Sequence, residues 1–273
     1  MEITPALLAA VAAVALFCEY LDASIGMGYG TTLTPLLLII GFSPLEVVPA
    51  VLLGQLVGGT VATLAHQRLG NIRLDFRRDN HLLRQRLRWL VYLPRSTDSK
   101  VILILAACGV VGALIGVFTA VNIPETVLQA YIGAMVLAIG IVVLVRRNHG
   151  GALSWQGLVG IGLLSSFNKG ISGGGYGPLV TGGQIVSGRE TRRSIGSAAV
   201  AEVFVCIVGF LAYCVATEAI FWKLAVAASA GAAVAAPLAA LTVRKVDSRN
   251  MKLVIGLAAI TLGAFTLARA SVL

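Results

Sequence analysis

The sequence predicts an all-α integral membrane protein: two inverted-topology repeats of about five helical segments, each opening with a Gly-rich broken helical hairpin. Three observations predict it. Hydrophobic residues make up 58% of the 273 and charged residues only 12%, with mean hydropathy +0.90; an ordinary soluble domain carries roughly 25% charged residues. Several apolar runs reach the roughly 20 residues that cross a bilayer as helix, and they lack the period-2 alternation of a membrane barrel. Finally, "GMGYGTTLT" from Gly26 recurs as "GGGYGPLVT" from Gly173, at an offset of 147.

Taken in order, the first segment covers about 4–23 and has no basic flank before it, so it reads as a span rather than a signal peptide. The second, about 31–41, starts directly after the glycines and is short, roughly 16 Å at 1.5 Å per residue. Thr31 and Thr32 help satisfy the free donors at its start. Segment three covers 46–66. A basic insertion of about 67–100 follows, containing "HLLRQRLRWLVYL". Leu83, Leu87 and Leu90 share one side of that stretch and Arg84 and Arg88 another, which suits an amphipathic helix on the inner leaflet; a solvated partner-binding loop is the rival. Segments four and five cover 101–121 and 126–145.

The second half repeats the plan with segments at 154–168, 178–187, 194–217, 222–243 and 251–270. Pro178 suits a first helical turn, where its missing N–H costs nothing. Gly26/Gly173, Gly28/Gly175, Tyr29/Tyr176, Gly30/Gly177, Thr34/Thr181 and Gly41/Gly188 coincide at 147, and Ile132/Ile255, Gly133/Gly256 and Gly140/Gly263 at 123. The difference places an insertion in the first half, giving repeats 1–147 and 148–273. Chance likeness between Gly-rich helices is the alternative.

Charge distribution fixes the topology. Nine of the 21 Lys and Arg lie between Arg68 and Lys100, and nine more at 146–147, 189–193 and 244–252. Such clustering marks cytoplasmic loops, and it explains the net charge of +9 without nucleic acid. Connections near Glu46, Glu125 and Glu218 then lie outside, as do both termini. Segments one and two form a hairpin entered from outside, and six and seven one entered from inside. Five segments per half invert the second repeat, the plan of secondary transporters that bind substrate near the midplane.

Both short helices therefore start in mid-membrane, with unpaired N–H donors and about half a positive charge at each start. Glycines let the chain turn and a ligand approach the backbone. Facing starts suit a small oxyanion. The candidate binding residues are Gly28, Tyr29, Gly30, Thr31, Thr34, Gln55, Lys169, Ser172, Gly175, Tyr176, Gly177, Thr181 and Gln184, with Asn168 a weaker neighbour. The tyrosine hydroxyls can donate to an oxyanion or simply pack, and Thr34 and Thr181 can back-bond to their own helices. Tight helix crossing is the rival role for the hairpin glycines, as it is the expected one for Gly54, Gly58, Gly112 and Gly116.

Charges at membrane depth need a reason. Asp22 and Lys169 are repeat equivalents of opposite sign, and Lys169 can contact the anion or neutralise Asp22. Gln55 and Glu202 are also equivalents. Glu202 is a candidate proton carrier, because burial favours the neutral acid; a packing carboxylate is the rival. Asp22, Glu202 and Glu19 are the coupling candidates. Cys18, Cys108, Cys206 and Cys214 lie in apolar runs and read as packing residues. His66, His81 and His149 sit at helix ends or in loops as interfacial groups and make no metal triad. No P-loop Gly-Lys-Ser/Thr follows "GISGGGYG", and no catalytic set is visible, so neither an enzyme nor a cofactor is expected.

At "SIGMGYGTTLTPLLL", including Pro35, and "GISGGGYGPLVTGGQ", the chain resembles the TauE/SafE sulfite exporter family, also called 4-toluene sulfonate uptake permeases. The second copy has Gly182 where the family's proline would fall. The resemblance implies a multi-pass plasma (cell inner) membrane transporter of small sulfur-containing anions such as sulfite, sulfoacetate or other organosulfonates. The residues themselves reach only a small anion, and a carboxylate would satisfy them too. A cation transporter or channel using Asp22, Glu19 and Glu202 is the alternative. The expected partners are a small anion and the lipid bilayer; a face such as Gly109, Gly112 and Gly116 also suits a homo-oligomer.

Overall fold

The computed structural model describes residues 4–26, 28–70, 76–78, 92–94, 96–145, 154–186, 189–242 and 248–270. Helix follows helix: α1 (Pro5–Ile25), α2 (Tyr29–Ile40), α3 (Pro44–Arg68), α4 (Thr97–Asn122), α5 (Glu125–Val145), α6 (Trp155–Ser172), α7 (Tyr176–Val186), α8 (Thr191–Ala216), α9 (Trp222–Thr242) and α10 (Ser248–Ala270). Six of them, α1, α3, α4, α5, α8 and α9, are long and apolar enough to cross a membrane. The chain is a multi-pass membrane protein.

Local chemistry sets the starts and stops. Thr4 accepts from the Leu7 N–H ahead of Pro5, and Ser43 with Glu46 forms a capping box on α3. Ser96 and Ser154 cap α4 and α6 in the same way. Helices α1 and α6 both end on a glycine in the left-handed region, Gly26 at φ 75° and Gly173 at φ 71°, whose N–H returns to the carbonyls of Asp22 and Lys169. A side chain resists that conformation, which is why glycine recurs there.

Observed bounds repeat at the expected offsets. Pro44–Arg68 shifted by 147 becomes 191–215, against Thr191–Ala216 for α8. Glu125–Val145 shifted by 123 becomes 248–268, against Ser248–Ala270 for α10. Packing repeats as well. Helix α4 lies on α6 as α9 lies on α1, α3 lies on α9 as α4 lies on α8, and α3·α8 and α5·α10 pair across the halves. Exchanging the halves maps this set onto itself. Helices α1–α5 and α6–α10 are thus interlocked, α1 seated on α9 and α6 on α4. Glycines make this possible: a Cβ on Gly112 would sit 2.7 Å from the Leu163 carbonyl oxygen, and one on Gly263 would sit 2.8 Å from that of Gly133. The largest buried cluster joins Val11, Leu33, Val48, Leu52, Ile132 and Tyr213 from five helices.

Some expectations shift. Tyr29 and Tyr176 are the first residues of α2 and α7 rather than part of the turns, and α6 runs on to Ser172. Most of the proposed amphipathic helix over 81–93 lies outside the described residues. Its last two residues, Tyr92 and Leu93, belong instead to a strand (β2, Tyr92–Pro94) paired antiparallel with β1 (Phe76–Arg78). His66 is no solvated interfacial group. It is fully buried against α1 at Ala23, because α3 carries the histidine on the face that meets α1.

Candidate functional site

The two glycine turns meet in the interior. A Cβ on Gly30 would overlap the Gly173 carbonyl, and one on Gly177 would overlap the Gly26 carbonyl. The same reciprocity links Gly26 to Thr181 and Gly173 to Thr34, whose Oγ1 atoms would lie 2.6 Å and 3.2 Å from the added carbons. Every one of these contacts exchanges with its mate at the 147 offset. Thr31 ties the turns together, its Oγ1 accepting from the Gly175 N–H at 3.3 Å, and Ser172 Oγ accepts from the Gly174 N–H at 3.2 Å. Gly28 (φ 144°) and Gly175 (φ 82°) complete the turns. The starts of α2 and α7 meet here, but backbone fills the space between the turns.

Beside this contact lie two repeat-related side-chain pairs. Gln55 Nε2 donates to Asp22 Oδ2 at 2.9 Å, and Lys169 Nζ pairs with Glu202 Oε1 at 2.8 Å. A hydrogen bond in one half thus stands where an ion pair stands in the other. Lys169 therefore takes Glu202, not Asp22, as its direct partner. The Lys169 and Glu202 side chains are 1% and 6% exposed, so this ion pair is essentially withdrawn from water.

Asp22, Gln55 and Glu202 line a small cavity with Glu19, Gly26, Gly59 and small or apolar residues of α3 and α8. Its volume of about 10 Å³ takes roughly one water. Glu19 is fully buried with neither carboxylate oxygen hydrogen-bonded, and it reaches into a gap left by Gly58, where a Cβ would come within 2.7 Å of its carboxyl. Gly54 likewise leaves room for the Tyr29 hydroxyl, so both glycines accommodate side chains rather than helix backbones.

The remaining candidates divide. Thr34 Oγ1, Thr181 Oγ1, the Tyr176 hydroxyl and Gln55 Oε1 are buried without hydrogen-bond partners, so neither threonine back-bonds to its helix. Tyr29 turns away from the cavity and donates to the Ala228 carbonyl at 3.4 Å. Gln184 sits at the far end of α7, its Oε1 accepting from Arg189 at 2.6 Å and from Ser197 at 2.9 Å. Arg189 also pairs with buried Asp98 at the start of α4, and Arg193 with Glu190. Burial draws the Arg189 guanidinium below its ordinary value, against the pull of Asp98. Asn168 accepts from Tyr131. Ser166 escaped sequence reasoning: its hydroxyl is buried and unpartnered at the repeat position of Glu19, so the 147 offset could have found it. Among the described residues no group of His, Cys, Asp and Glu is arranged to hold a metal ion.

Comparison with known proteins places the chain among membrane transporters. The family model for the sulfite exporter TauE/SafE matches residues 87–266. The chain is 26% identical over 268 residues to the probable membrane transporter protein YtnM of Bacillus subtilis (strain 168), spanning 93% of this chain and 80% of that protein. No solved structure matches.

Proposed function

This chain belongs to the TauE/SafE sulfite exporter family, a family of membrane transporters, and on that premise we propose that it moves small sulfur-containing anions across the plasma membrane by alternating access. The substrate is sulfite, sulfoacetate or another organosulfonate, held near the midplane between the two glycine hairpins. One observation carries the reading: the two turns meet backbone to backbone beside a buried ammonium and the unpartnered hydroxyls of Thr34 and Thr181. Unsatisfied buried donors are costly, and an oxyanion entering as the turns part would satisfy several at once. Amide groups at both helix starts add to the attraction.

The halves relate as inverted repeats, with the basic loops cytoplasmic and both termini outside. In that orientation the small cavity opens from the midplane toward the cytoplasm through Ala62, Ile195 and Ala198. Movement of one half against the other parts the turns and transfers access to the opposite face.

The acid-lined cavity favours a second reading, a cation transporter working through Glu19, Asp22 and Glu202. Purified protein in liposomes separates the two. Flux of labelled sulfite that is lost in Gly177→Val supports the anion reading; sodium flux without sulfite flux replaces it with the second.

A further inference from the structure

Resting on that reading, we propose that the anion binds together with a proton by exchange at Lys169: the anion displaces the Glu202 carboxylate from the ammonium, and the displaced carboxylate is protonated. The geometry leaves little alternative. Lys169 is buried with Glu202 at 2.8 Å, and the adjoining cavity has room for about one water. An anion therefore reaches the ammonium only by taking the carboxylate's place.

A displaced, ionised Glu202 would remain in the same dry space without a counter-charge. The titratable groups facing it are Glu19 and Asp22 from α1, Lys169 from α6, Tyr176 from α7 and Cys206 of its own helix. Among the described residues of this cluster Lys169 is the one cation, and the anion has claimed it. Gln55, whose Oε1 has no partner, lines the same cavity and is placed to accept the new O–H.

The charges balance. An ammonium–carboxylate pair, a sulfonate and a proton become an ammonium–sulfonate pair and a carboxylic acid, with the net charge of the site set only by what entered. In the first half Gln55 and Asp22 occupy the corresponding positions, and an amide cannot perform this exchange. One proton thus accompanies each anion.

Methanesulfonate tests the idea, because its own charge is constant across neutral pH. Its binding to the full chain in detergent is measured by calorimetry at pH 5.5–8.5, in buffers of different ionisation enthalpy that count protons. The expected result is about one proton taken up per anion, with affinity falling about ten-fold per unit rise in pH because each anion bound requires one proton for Glu202. Glu202→Gln should bind without proton uptake and without pH dependence. Binding by the unaltered chain with no proton uptake overturns the exchange while leaving the transporter reading intact; so does a Glu202→Gln chain that keeps the full proton count. Absence of any binding, of methanesulfonate and sulfite alike, overturns both. The proton count needs no variant, so misfolding of Glu202→Gln does not shield the proposal.

Discussion

Gly30 and Gly160 both lie in helices, yet their surroundings assign them opposite importance. A Cβ on Gly30 would collide with the Gly173 carbonyl, whereas one on Gly160 meets nothing within 4 Å. Gly30→Ala is expected to force the turns apart and cut sulfite flux at least ten-fold in liposomes, while Gly160→Ala leaves flux unchanged. Gly58→Ala makes a finer test, since its new methyl would press on the Glu19 carboxyl. If Glu19 matters only as packing, Gly58→Ala and Glu19→Gln should alter thermal stability and leave transport intact; if it belongs to the transport cavity, both should reduce flux. At this scale the sequence was partly legible. The offset paired Asp22 with Lys169 and Gln55 with Glu202, but it could not say that contacts run within each half, between hairpin and following helix. Nor could it show that Tyr29 points to Ala228, because rotamers and helix rotation are decided by packing.

Among the elements, α4, α7 and the residues leading into α8 are tied together by charge. Asp98 at the start of α4 holds Arg189, which also donates to Gln184 near the end of α7. The Arg189 side chain is 10% exposed and that of Asp98 1%, so removing one partner strands a largely buried charge. Asp98→Asn is expected to destabilise the protein by about 3 kcal/mol, the cost typical of breaking a buried pair. Thermal unfolding in detergent should show it, with little further loss in high salt because the pair is shielded from ions. Helix order and most helix bounds were readable from apolar runs and glycine stops, both local signals. The hairpin helices α2 and α7 begin two residues earlier than expected, since a short glycine turn such as 173–175 is enough to link them to the helices before. The role of Gln184 was not readable, because Arg189 and Ser197 reach it only after the helices pack.

For the whole molecule, the repeat explains both the symmetry and its breakage. Cavity residues Ile195, Ala198 and Ala199 of α8 correspond to Val48, Val51 and Leu52 of α3, all fully buried within the largest core cluster. Leu52 fills the space that Gly209 leaves, whereas its counterpart Ala199 lines the cavity beside Ala62, the counterpart of Gly209. On the cavity side alanines stand where the counterparts Val51 and Leu52 close the core, and in the proposed orientation that side faces the cytoplasm. Ala199→Cys should react with a membrane-impermeant thiol reagent from the side bearing the basic loops, and Leu52→Cys should stay unreactive until substrate is cycled through the protein; the reverse pattern would invert the assigned orientation. Composition made the all-helical, membrane-spanning character legible, but not the interlocking of the halves, which no local signal encodes. The most direct measurement is a cryo-EM map of the chain loaded with sulfite. The expected result is an anion about 3 Å from Lys169 Nζ, seated between residues 28–31 and 175–177 with the two glycine turns drawn apart. Sulfite bound elsewhere, with those turns still closed on one another, would contradict the account.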